Sequence, residues 1–211
     1  MRKIKNFKIN LRIKEISSVI KKLNNISIDS IELEEIIRRS CSTYSKFLYP
    51  SAIYDTFSKE VFPSFKENTI LPKFVACSVF FVTIGNALKE QYKLNTDAFG
   101  EYTSTIVSAI AVDALEQSKN FIKRLIISEA KNESCEVSRA EEIQDSLCSE
   151  FVKLIPISKI GISVVQGELN PKYSTCGLFY WIPSKKKQKK QLSSLVITTS
   201  ISAPILLLLK V

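Results

Sequence analysis

Asp113 interrupts the apolar stretch IVSAIAVDALEQ, residues 106–117, and Glu116 follows three positions later. In a helix, residues three or four apart share a face, so the two carboxylates can converge on one amine or ammonium group. An acid beside Ala109 and Ile110 is costly to bury unless a cation or hydrogen-bond donors meet it. The same pattern also suits a helix boundary whose acids are solvated or paired with Lys119 or Lys123. The chain has no histidine, which removes Ser–His and Cys–His nucleophile pairs and any histidine-ligated metal. Acid–base chemistry therefore falls to Asp, Glu, Lys, Tyr or Cys.

The second stretch with chemical potential is ISVVQGELNPKYSTCGLFYW, residues 162–181. A bend through Asn170 and Pro171 needs only those two residues, yet Ser174, Thr175, Cys176 and Gly177 follow just where a strand restarts. Glycine at 161 and 177 permits close approach of a backbone or a flat ligand, although strand bends and bulges use glycine for the same reason. The five glycines are otherwise too dispersed to form a phosphate-cradling loop. Cysteines occur at 41, 77, 135, 148 and 176 without a CxxC pair, so no zinc site is expected. Buried free thiols in a reducing cytoplasm are the expectation.

The net charge of +9 is concentrated at the ends. Residues 1–22 carry eight Lys or Arg against Glu15, and KKKQKK at 185–190 adds five lysines. The body between is near neutral, and neither an RNA-binding aromatic signature nor a helix-turn-helix pattern accompanies the basic runs. No nucleic-acid partner is expected. Hydrophobic residues make up 45% and charged residues 24%, a globular composition on a chain of 211 residues.

Several elements must position these residues. Phe7, Ile9, Leu11 and Ile13 alternate as in a strand, before Ile16, Val19, Ile20 and Leu23 take helical spacing. Asp29 and Ser30 can cap a helix over about 30–48, acidic early and basic late. YPSAIYDTFSKEVF is a short helix or strand leading to a loop. Residues 73–92 are either a buried strand (Phe74 to Val82) followed by a helix from Gly85, or one broken buried helix. Tyr102 to Leu125 reads as one long buried helix, Asn132 to Ala140 as a loop, and Glu142 to Leu154 as a helix. Ile160 to Val165 and Gly177 to Ile182 read as strands around the Asn170–Pro171 bend.

One domain is expected over residues 1–184, with 185–211 as a basic cluster plus an apolar tail. The run LSSLVITTSISAPILLLL, residues 192–209, is uncharged and long enough for a tail anchor. Its six Ser or Thr residues and Pro204 favour a packed or loosely ordered tail over a spanning helix. The basic N-terminus leads into an amphipathic stretch, so no export signal is expected.

Three motifs in fixed order carry a family resemblance: FFVTIGNALKE (80–90), SAIAVDALEQ (108–117) and GISVVQGELNPKYSTCGLFY (161–180). Together they resemble the activation domain of cobalamin-dependent methionine synthase and its stand-alone bacterial relatives, over roughly residues 26–182. Gly161, Ile162, Pro171, Ser174, Cys176 and Gly177 take the places of that family's third motif. The family's arginine, which precedes a Gly-Tyr pair, falls on Arg139, while Ile143 and Gln144 stand where Gly and Tyr would be. Val165, Gln166 and Gly167 replace its Thr-Glu-Ser stretch.

The resemblance implies an α+β fold, with a twisted antiparallel sheet and flanking helices. It implies S-adenosylmethionine as methyl donor for a cobalamin presented by a partner, either a cobalamin-binding methionine synthase or another corrinoid protein. A flavodoxin-like protein would donate the electron. On this footing Asp113 and Arg139 are candidates for the cofactor's amino and carboxylate groups, and Tyr173, Ser174 and Gly177 for the lining of the cofactor or corrin-facing groove. The alternative is a non-catalytic module docking on a corrinoid protein or a membrane surface.

Overall fold

The run ACSVFFVT is buried along nearly its whole length because it forms the middle of a sheet covered on both faces. In the computed structural model, which describes residues 1–24, 30–61, 74–94, 102–139, 141–142 and 145–184, this run is β3 (Ala76–Thr83). The sheet also contains β1 (Arg2–Lys5), β2 (Ser51–Ser58), β4 (Cys135–Val137), β5 (Glu141–Glu142) and β8 (Ser174–Pro183). Its order is β1-β2-β3-β8-β4, with β5 also on β8, and every pairing is antiparallel. A separate hairpin joins β6 (Ser163–Val165) to β7 (Glu168–Asn170). The fold is α+β, a curled antiparallel sheet flanked by helices.

Side chains alternate across a strand, and the two faces build two cores. On one face Ile53, Cys77, Val79, Phe81, Leu178 and Tyr180 meet Cys148, Phe151 and Ile155, presented by α5 (Asp145–Leu154) and the residue after it. On the other, Ala52, Tyr54, Phe80, Val82, Phe179 and Trp181 meet Ile122, Ile126 and Ala130. Those three belong to α4 (Thr103–Asn132), which at 30 residues is about 45 Å long and overruns the sheet. Its N-terminal half builds a third core from Ile106, Ile110 and Ala114. Packed on them are Ile16 and Ile20 of α1 (Ile13–Asn24), Leu33 and Ile37 of α2 (Ser30–Tyr44), and Leu88 of α3 (Ala87–Leu94). No helix among the described residues is long and apolar enough to cross a membrane.

Residues 74–92 resolve as strand then helix, and YPSAIYDTFSKEVF contributes β2. Three readings are corrected. Phe7 to Arg12 is not a strand, because Asn6, at φ 54 and with its N–H on the Pro50 carbonyl, turns the chain out of β1. The polar segment after α4 contains β4, recruited by pairing with Trp181, Ile182 and Pro183 of β8. The hairpin reverses at Gln166 and Gly167, both at positive φ, rather than at Asn170–Pro171, which is a cis peptide leading into β8. The tail at 185–211, and Ile143 and Gln144, lie outside the described residues.

Candidate functional site

The first and third motifs meet where β3 ends and β8 begins. Thr83 is the register partner of Ser174, and the Ser174 hydroxyl donates to Thr83 Oγ1 at 2.9 Å. Thr83 in turn donates to the Tyr173 carbonyl at 3.3 Å and accepts the Gly85 N–H at 3.0 Å. The Ile84 N–H also reaches the Tyr173 carbonyl, at 3.2 Å. Gly85 sits at φ 81, where a Cβ would come within 3.3 Å of the Tyr49 side chain, so the tight turn into α3 depends on glycine. The second motif approaches through packing: Ile84, Ala109, Ile110 and Ala114 share one core, against which Tyr173 packs.

Beside this junction the β6–β7 hairpin overhangs an open cleft of about 510 Å³, within the range of small-molecule sites. Ser174, Thr175 and Cys176 form one wall, Gln166, Glu168 and Asn170 of the hairpin another, and Lys89 and Lys172 supply positive charge. Neither lysine forms an ion pair with a described residue. Ser174 spends its one proton on Thr83, which leaves its oxygen free to accept from a ligand. Cys176, behind it, has its sulfur 3.2 Å from that of Cys148 on α5.

Of the five residues singled out from the sequence, Ser174 lines the cleft, whereas Tyr173 does not: its carbonyl accepts from Thr83 and Ile84, and its side chain packs on the core of α4. Gly177 lies inside the sheet, paired with Phe80 of β3 and Glu142 of β5, and does not line the cleft. Arg139 is exposed between β4 and β5, its carbonyl accepting the Ser138 hydroxyl, and it too lies outside the lining. Asp113 is buried in α4. Its Oδ1 accepts Arg12 Nε at 2.8 Å and Nη2 at 2.6 Å, while Oδ2 accepts the Arg12 backbone N–H at 3.0 Å and Gln117 Nε2 at 2.7 Å. Glu116 does not join it and pairs with Lys119 at 3.0 Å. Lys89 and Lys172 were missed: both fall within the quoted motifs, and their charge on otherwise small or polar segments was the available signal.

Burial also sets the nearby thiols. Cys41 is pushed up to about 11 by burial first and by the Asp113 carboxylate second. Cys77, inside the sheet, is pushed up to about 12 by burial. Neither is a ready nucleophile at neutral pH.

No protein-family model matches the sequence. No curated protein matches it either. Among solved structures, the MetH reactivation domain bound to AdoHcy superposes with a TM-score of 0.57 at 11% identity, covering 87% of this chain and 79% of that one. The likeness is one of fold.

Proposed function

We propose that this chain is a stand-alone activation-domain-like protein that takes S-adenosylmethionine in the cleft under the β6–β7 hairpin. Its role is then to support reductive remethylation of a cobalamin held by a partner, with an electron from a flavodoxin-like donor. The observation that carries the reading is the convergence of three separate motifs on one junction, with a ligand-sized cleft beside it, in a fold shared with a domain solved with AdoHcy. S-adenosylmethionine supplies a transferable methyl group when bound. The residues present fit it: Lys89 and Lys172 suit a carboxylate, Glu168 suits an ammonium or sulfonium, and Ser174, Thr175 and Asn170 suit ribose and base edges. Glu168 takes the role expected of Asp113, whose carboxylate is already held by Arg12 and Gln117.

A second reading, a non-catalytic docking module on the same corrinoid partner, draws on that same occupied carboxylate. Isothermal titration of the full chain with S-adenosylmethionine and with AdoHcy tests the first. Binding is expected, weakened about tenfold or more in Lys172→Ala, the loss of one charge-assisted contact. Absence of heat at millimolar ligand would remove the cofactor role. Capture of a cobalamin-loaded partner then separates the readings, because only the first makes capture depend on S-adenosylmethionine.

A further inference from the structure

A second cleft, of about 490 Å³, lies between the segment at residues 7–12 and the middle of α4. Its helical wall is the stripe Gln117, Asn120, Phe121, Arg124 and Ile127, positions that share one face, with Lys123 beside it. The facing wall is Phe7, Lys8, Ile9 and Arg12. Phe7 and Phe121 stack with centroids 4.6 Å apart and planes 23° from parallel, giving the cleft an aromatic side.

The charged residues of the lining are all cationic: Lys8, Arg12, Lys123 and Arg124 line the cleft, and no acidic residue does. Arg12 is neutralised by Asp113. Lys8, Lys123 and Arg124 form no ion pair with any described residue. Three uncompensated cations around a concave, partly aromatic cleft raise the local potential for an anion, and a concave site focuses that potential more than a flat surface does. The two halves call for two halves of a ligand: an apolar or planar body against Phe7 and Phe121, and a doubly charged anionic group between the cations. Arg124 offers a planar fork suited to phosphate.

We propose that this cleft binds a small phosphate-bearing ligand of about mononucleotide size, distinct from and independent of the ligand assigned to the hairpin cleft. The size of the cleft, about 490 Å³, suits a small molecule better than a polymer, which would need a basic stripe running beyond one pocket.

The test is isothermal titration of the full chain at about 50 mM salt, where screening is modest, with uridine 5′-monophosphate, uridine and inorganic phosphate as probes. A uridine probe carries no adenosyl group to compete for the hairpin cleft. The monophosphate is expected to bind at least about tenfold more tightly than either fragment, because it alone engages both halves. Lys123→Glu/Arg124→Glu, at a half-buried and an exposed position of α4, is expected to weaken it by about tenfold or more with an unchanged melting temperature, whereas Lys172→Ala leaves it unaltered. Phe7→Leu should weaken the monophosphate and spare inorganic phosphate. Absence of heat with all three probes, or equal affinity in the double variant, would overturn the assignment. So would a single-stranded oligouridylate that binds far more tightly than the monophosphate, since that points to a polymer track.

Discussion

Arg12 and Asp113, 101 residues apart in the chain, form a three-point contact: two guanidinium nitrogens on Oδ1 and the Arg12 backbone N–H on Oδ2. The Asp113 side chain is 1% exposed and that of Arg12 is 44% exposed, so the acid is desolvated while its partner keeps one side in water. This contact ties the segment that leaves the sheet edge to the N-terminal half of α4. It also explains how a carboxylate survives among alanines and isoleucines on α4.

Arg12→Ala leaves the buried carboxylate with Gln117 and one backbone donor. The expected loss is about 2–4 kcal/mol, somewhat less than for a fully buried pair because Arg12 is partly solvated. In an Asp113→Asn background the same substitution should cost markedly less. A double-mutant cycle by urea unfolding measures the difference, and equal costs in the two backgrounds would show that the pair contributes nothing.

Thr83 serves three partners with one hydroxyl, so Thr83→Val is expected to destabilise more than Ser174→Ala. The former strands the Gly85 N–H and costs about 1–3 kcal/mol, while the latter removes one hydroxyl contact worth about 0.5–1.5 kcal/mol. Hydrogen exchange separates the two effects. The Gly85 amide should exchange faster in Thr83→Val and stay protected in Ser174→Ala, and matching rates would mean that the junction does not depend on Thr83.

The elements most legible in the sequence were those whose burial leaves a period or an unbroken apolar run. The long helix showed through Ile106, Ile110, Ala114 and Phe121, and the central strand showed as a run in which both faces are covered. The alternation of Phe7, Ile9, Leu11 and Ile13 was also real, since all four pack inward, but alternation reports burial and not a strand partner. Strand β4 was hidden because its identity comes from pairing with β8 and not from its own composition. The Gln166–Gly167 reversal was hidden because glutamine seldom takes positive φ, so the stronger turn signal of Asn170–Pro171 drew the bend. The site divides in the same way. Ser174 was legible from a local motif, whereas the Arg12 partner of Asp113 is a long-range contact that no local spacing encodes.

Stability should fall in alkali through the buried thiols. Burial favours the neutral thiol, so the folded chain retains protons that an unfolded thiol releases near its ordinary value of 9.0. Below that value the thiols add no slope. As pH rises from 9.0 toward about 11 for Cys41 and about 12 for Cys77, stability is progressively lost. The limiting slope is about 1.4 kcal/mol per pH unit for one thiol. Urea unfolding of the native chain and of Cys77→Ala between these limits should give a shallower decline in the variant. Parallel curves would show that Cys77 ionises in the folded state as readily as in the unfolded one.

Cys148 and Cys176 are positioned for a crosslink between α5 and β8. Their sulfurs lie 3.2 Å apart, so forming a bond of about 2.05 Å needs an approach of about 1.2 Å, within side-chain adjustment. Diamide is a suitable two-electron oxidant: it takes up both thiol protons and the two electrons, becoming the hydrazine as the S–S bond forms. Cys176 lines the open hairpin cleft, which gives the reagent access. Peptide mapping without reductant should recover the Cys148 and Cys176 peptides joined, with the loss of two hydrogens, and Cys148→Ser should abolish that species. Closing a loop of 28 residues should raise stability by about 3–4 kcal/mol in the chain-entropy account, provided the native geometry is kept. Because Cys176 and Ser174 stand two apart on the same face of β8, the crosslink also fixes the wall of the cleft. Recovery of both thiols unmodified after diamide treatment, or pairing of either with Cys41, Cys77 or Cys135, would show that the two sulfurs do not meet in the folded protein.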